Sequence, residues 1–379
     1  MLLTLVTCLG VSCAGNASTQ PGPTSTTGKP GSTAHTSAGA STDSIEAATL
    51  ASGALFDRLD TDDAPGCATA ASLDGQTVFS AGYGMADLDA GVRIDPHTRF
   101  DIASVSKSFT AATVLLLADR GVISLDDSIR VWLPELPPGW DDITVEDLLH
   151  HTSGVPPYED GLLDDFSELE PTSADDALAV LVSAPALGFP PGSDWEYSNS
   201  GYFLLSLITE RSTDAAFEDV VATTVLEPLG LDDTLVRSDW STPVPGGARG
   251  YTYDGDAWLL GESQWAQQGD GAVQSTTSDL LRWADEWRTA EVLGDELRDR
   301  MQEPVRLDDG ETIAYGAGLS LDTDDNGRRV VAHDGAWAGF TSDLRLYPDD
   351  GVAVVVLCNI DGFEEIDDLT SDLADIWLP

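Results

Sequence analysis

The chain has 379 residues, 42% of them hydrophobic, and a formal net charge of −48 from 66 Asp and Glu against 18 Lys and Arg. Binding to a phosphate backbone needs clustered cations, so nucleic acid is excluded as a partner. The one apolar stretch near a terminus, Leu2 to Ser12, is far shorter than the ~20 residues that a membrane-spanning helix needs.

At the N-terminus, Leu9-Gly10-Val11-Ser12-Cys13-Ala14-Gly15 has the form of a lipoprotein cleavage site, with small residues ahead of a cysteine. Residues 1–13 are therefore expected to be an export signal and Cys13 the lipidated residue, with a plain secretory signal as the competing reading. The absence of Lys and Arg before Cys13 departs from such signals and points to a start further upstream. Residues 14–43 are mostly Ser, Thr, Gly, Pro and Ala, which cannot bury enough apolar surface to fold, and are expected to be a spacer. The expected location is the cell surface, with membrane contact only through the lipid on Cys13. All acidic residues lie at or beyond Asp43, so the charge belongs to a folded domain over 44–379. Lysine occurs only at positions 29 and 107, and this balance fits adaptation to high salt, a merely acidic exported protein being the alternative.

Within the domain, a helix over 44–59 leads into a hairpin of Ala68 to Leu73 and Gln76 to Gly82, turning at Asp74-Gly75. Ser108 to Asp119 reads as a largely buried helix ending near Gly121, which places Ser104 at a helix N-terminus. Thr144 and Thr277, each followed by early acids and an apolar stripe, read as hydroxyl caps of helices. Strands follow at Tyr315 to Leu321, Arg328 to His333, Thr341 to Tyr347 and Val352 to Leu357, then a helix over 363–377. The fold class is α+β: one antiparallel sheet built from both ends of the domain (about 44–103 and 312–379), flanked by helices, with a mainly helical subdomain over about 104–311. Cys67 and Cys358 border the two strand-like runs Ala68 to Leu73 and Val352 to Leu357. If those strands are antiparallel neighbours the sulfurs come within bridging distance, the alternative being two buried thiols.

Three stretches carry chemistry: Ser104-Val105-Ser106-Lys107, Tyr197-Ser198-Asn199 and His333-Asp334-Gly335. Ser104 needs a base to become a nucleophile, and Lys107 stands one helical turn away. Free N–H groups at a helix start favour a developing oxyanion and disfavour a charged lysine. His150 and His151 lack companions at metal-ligand spacing and read as a structural loop; no metal and no cofactor is expected. Trp195, Trp283 and Trp287 read as packing residues, Trp337 and Tyr158 as candidates to line a cleft.

With these stretches, and with Phe100-Asp101-Ile102-Ala103, Leu148-Leu149-His150-His151-Thr152-Ser153-Gly154 and Trp195-Glu196 through Gly201-Tyr202, the domain resembles the serine beta-lactamase and penicillin-binding protein superfamily. Tyr-Ser-Asn and His-Asp-Gly point to its class C-like branch of D-alanyl-D-alanine carboxypeptidases, esterases and D-aminopeptidases. The resemblance implies a beta-lactamase/transpeptidase-like fold and an acyl-enzyme on Ser104, with Lys107 and Tyr197 relaying protons. It implies that Asn199 bonds Lys107 and the substrate, that Ala336 and Ser104 N–H groups form the oxyanion hole, and that Gly335 lets the strand approach the substrate. His333, where many relatives have lysine, would sit near Tyr197. Asp334 takes a position usually given to a hydroxyl, and facing the cleft it would repel a substrate carboxylate, favouring esters or neutral amides unless strand alternation turns it away. The expected partner is a small ester, amide or peptide, and the expected state a monomer. A binding or sensor protein with the same fold is the alternative function.

Overall fold

A computed structural model describes residues 42–379 apart from Glu168 and Pro185. The expected signal, Cys13 and nearly all of the spacer lie outside the described residues. The elements that frame the site are α1 (Thr42–Phe56), β1 (Cys67–Leu73), β2 (Gln76–Tyr83), α2 (Ser106–Asp119), α3 (Asn199–Thr213), α4 (Thr277–Thr289), β3 (Ser320–Thr323), β4 (Arg329–Trp337), β5 (Phe340–Tyr347), β6 (Val352–Cys358) and α5 (Ile366–Trp377).

The six strands form one sheet in the order β3-β4-β5-β6-β1-β2, every neighbouring pair antiparallel. Both ends of the domain therefore share a sheet, and β1 and β6 are neighbours inside it. The two are paired along their whole length from Cys67 opposite Cys358 to Leu73 opposite Val352, and Cys67 is disulfide-bonded to Cys358. The apolar run of β6 lacks polar alternation because both of its faces are covered. Val352, Val354 and Val356 pack with Phe56, Leu373 and Trp377 of the terminal helices. Val355 and Leu357 belong to the opposite core with Phe109 and Trp283 of α2 and α4. Burying each such side chain stabilises the fold by roughly 1.5–3 kcal/mol.

Helix α2 is buried on every side from Ser106 to Leu117. It is the central post of the second core: Phe109 stacks on Trp283 at 4.5 Å, and Trp283 Nε1 donates to Ser108 Oγ at 2.9 Å. The region between sheet halves is mostly helical, and Thr144 caps its helix through a reciprocal box with Asp147. In α4 the cap is Thr276 and not Thr277, because only from position 276 is Asp279 three residues on, where its N–H reaches the hydroxyl oxygen. Among the described residues no helix is long and apolar enough to cross a membrane, and no group of His, Cys, Asp and Glu is assembled to hold a metal ion.

Candidate active site

Ser104 lies in the 3-10 turn Ala103–Val105 that leads directly into α2. Ala103 has φ +46°, a left-handed conformation that costs a non-glycine residue about 1–3 kcal/mol and needs external support. Asp101 supplies it: Oδ1 accepts from Ala103 N at 2.8 Å, while Oδ2 accepts from Gln274 Nε2 at 2.8 Å.

One turn later, Lys107 is fully buried, with Nζ 3.0 Å from Ser104 Oγ, 2.6 Å from Asn199 Oδ1 and 2.8 Å from the carbonyl oxygen of Asp270. Burial lowers its pKa to about 8, against the opposing pull of Asp270, Glu159 and Asp334. A neutral amine has two N–H donors and one lone pair. In this cradle the donors are taken by Asn199 and Asp270, and the lone pair is left for the Ser104 hydroxyl.

The Tyr197 side chain interacts with Ser104, which tempers the rise in its pKa, and its ring lies 4.9 Å from Lys107 Nζ. The ring is 39% exposed at the cleft, whereas the hydroxyl end is enclosed, and burial raises its pKa well above the usual tyrosine value. Behind it sits His151, with ring centroids 4.6 Å from Tyr197, 5.1 Å from Tyr202 and 4.9 Å from Tyr315. His151 Nδ1 also accepts from Ser198 N at 3.1 Å, so this histidine holds both ring and backbone of the Tyr-Ser-Asn stretch.

His333 is buried 6.2 Å from Tyr197, centroid to centroid, and is bonded elsewhere: Nε2 is 3.0 Å from Tyr315 Oη and Nδ1 is 2.6 Å from the Asp334 carbonyl. Burial lowers its pKa to about 4, so it brings no positive charge to the cleft at neutral pH. At Gly335 a Cβ would meet Ile102 O at 2.6 Å and Ser104 N at 2.8 Å, so the missing side chain admits the serine turn. Asp334 is exposed and lines a separate acidic cavity with Asp322, Asp343 and Arg345. Strand alternation turns its side chain away from the buried His333, although its charge opposes the fall in the Lys107 pKa.

The cleft over Ser104, about 510 Å³ with its open mouth, is lined by Asn199, Ala336, Tyr158, Trp265, Asp270 and Trp337, among others. Trp337 and Tyr158 were anticipated there. Trp195 packs edge-on against His151, and Trp283 and Trp287 are in the core. Several members have no sequence signature: Asp270, which accepts from Tyr158 Oη at 2.6 Å; Trp265, 5.3 Å from Trp337; and Glu159, bonded to Asn199 Nδ2. Each is 40 or more residues from the partner it serves. His151 lies in a turn, and what its sequence does not show is the cluster of Tyr197, Tyr202 and Tyr315 packed around it.

Residues 53–375 match the family model described as Beta-lactamase. The chain is 30% identical over 303 residues to penicillin-binding protein 4* of Bacillus subtilis (strain 168), covering 76% of this chain and 67% of that protein. It is 29% identical over 305 residues to a D-aminopeptidase of Gluconobacter oxydans (strain 621H), covering 78% of this chain and 56% of the relative's length. The solved D-amino acid amidase of Ochrobactrum anthropi SV3, complexed with D-phenylalanine, superposes with a TM-score of 0.72 at 25% identity, over 88% of this chain and 98% of that one.

Proposed function

We propose that this chain, which belongs to the beta-lactamase family of serine hydrolases, cleaves a small ester or amide through an acyl-enzyme on Ser104. The observation that carries the proposal is the Lys107 cradle, with its third contact on Ser104 Oγ.

In the acylation step, Lys107 takes the Ser104 proton as Oγ bonds to the substrate carbonyl carbon, and the carbonyl oxygen becomes an oxyanion facing the N–H groups of Ser104 and Ala336. The assignment of the base to Lys107 and not Tyr197 follows from opposite effects of burial. The amine is brought close to neutrality near physiological pH, whereas the phenol is held protonated. Tyr197 is then the donor to the leaving oxygen or nitrogen as the C–O or C–N bond breaks, and is reprotonated by way of Lys107. Water releases the acid by the reverse relay.

The neutral His333 leaves the cleft without the cation that would hold a substrate carboxylate, which favours uncharged esters and amides. The names of the D-aminopeptidase relative and the D-amino acid amidase neighbour support amides among these. The test is intact-protein mass spectrometry after a fluorophosphonate, a penicillin and a p-nitrophenyl ester, with hydrolysis followed in parallel. One adduct, lost in Ser104→Ala together with roughly 10³-fold or more of the turnover, is expected. Folded protein that forms no adduct with any probe would be a binding or sensor protein.

A further inference from the structure

Asn199 sits between two groups that fix which end of its amide is which. Lys107 Nζ needs an acceptor and takes Oδ1 at 2.6 Å; the Glu159 carboxylate needs a donor and takes Nδ2. Glu159 precedes Asn199 by 40 residues, at the start of the short helix Tyr158–Leu163, and is brought there by that helix packing under the cleft. Its second oxygen, Oε2, is buried without a hydrogen-bond partner. A carboxylate kept in such surroundings is costly, and its one side-chain hydrogen-bond partner is the amide that cradles the lysine.

Given the acyl-enzyme roles proposed for Ser104 and Lys107, on which it rests, we infer that Glu159 is a positioning residue: it locks the Asn199 amide with Oδ1 on Lys107 and Nδ2 on its own carboxylate, and its charge sets the protonation of Lys107. Two consequences follow. One of the two N–H donors of the Asn199 amide, which the family resemblance assigns to Lys107 and the substrate acyl chain, is committed within the protein. The lysine is wired through Asn199 to a second titrating group.

The charged and titratable groups that face Lys107 are Asp270, Glu159 and Asp334, which favour its ammonium form, with Tyr197 and the neutral His151 and His333 close by. Those facing Glu159 are Asp270, which raises its pKa, and Lys107, which lowers it; burial is the largest influence and the net result is about 7. Glu159 and Lys107 therefore exchange protons with solvent in adjacent pH ranges, and the first ionisation holds back the second.

The chain offers a direct readout, because Lys29 and Lys107 are its only lysines. Full-length protein labelled with ¹³C at lysine Cε gives two titrating signals, assigned with Lys29→Arg, whether or not the protein is active. Glu159→Gln keeps an acceptor for Asn199 Nδ2 and removes the charge, whereas Glu159→Leu removes both. In Glu159→Gln the Lys107 pKa should fall by about 0.5–1 unit, and the rise of kcat/KM with pH should move down with it. In Glu159→Leu the freed amide should lower the kcat/KM plateau by about tenfold or more. A Lys107 titration unmoved in Glu159→Gln, or two folded variants with equally reduced plateaus and an unshifted midpoint, would overturn the inference. Absence of any Ser104 adduct in wild type would instead overturn the hydrolase function and leave the lysine titration to decide the role of Glu159.

Discussion

Lys107 and Tyr197 stand side by side, yet burial acts on them in opposite senses because one is charged when protonated and the other when deprotonated. Lys107 as base works only when neutral, and its proton leaves near pH 8. The expected pH profile of kcat/KM on a neutral ester therefore climbs about tenfold per unit below that value and levels above it. A profile already flat from pH 6 would exclude Lys107 as the titrating base. The nucleophile and its amine were legible in the sequence because a helix brings residues three apart together. Asp270, Glu159 and His151 were not legible: their contacts with Lys107, Asn199 and Ser198 cross from one element to another, and no local periodicity encodes them.

Among the elements, β4 differs most from what its sequence led one to expect. Its ladder continues past His333 to Trp337, pairing with Phe340 across a tight turn. Read as chemistry, His333-Asp334-Gly335 looked like the end of a strand; in the fold it is the middle of one, where alternation sends His333 and Asp334 to opposite faces. The doubt about carboxylate substrates thus moves from Asp334, which faces another cavity, to the uncharged His333. The close approach of β4 to the serine turn is also testable. Gly335→Ala places a methyl group 2.6 Å from Ile102 O and 2.8 Å from Ser104 N, so backbone must move. Stability should fall by about 1–3 kcal/mol and kcat/KM by about 100-fold. Gly139→Ala, which meets nothing within 4 Å, should leave both unchanged in the same melting and rate assays. The hydrophobic run of β6 was legible because a strand covered on both faces needs little else than apolar residues.

For the whole molecule, the surface charge and the covalent staple act on stability independently. A net charge of −48 repels itself, and cations screen that repulsion over a Debye length of ~3 Å in molar salt against ~10 Å at 0.1 M. If the composition reflects salt adaptation, the melting temperature should fall steadily on dilution from molar salt; an unchanged melting curve would mark a merely acidic protein. The Cys67–Cys358 bond closes a span of 291 residues. Replacing both cysteines by serine should cost about 2–5 kcal/mol in urea unfolding at fixed salt, and thiol titration of denatured, unreduced protein should find neither of this pair reactive.

The pairing of the first strand of the sheet with its last in chain order also dictates a timetable. On the ribosome, β1 emerges early and takes β2 at once, but its other edge has to wait for residues 352–358 before it is covered. Until residues 329–337 follow, the serine turn has no β4 to lean on, so Ser104 and Lys107 are made long before the strand that shoulders their turn.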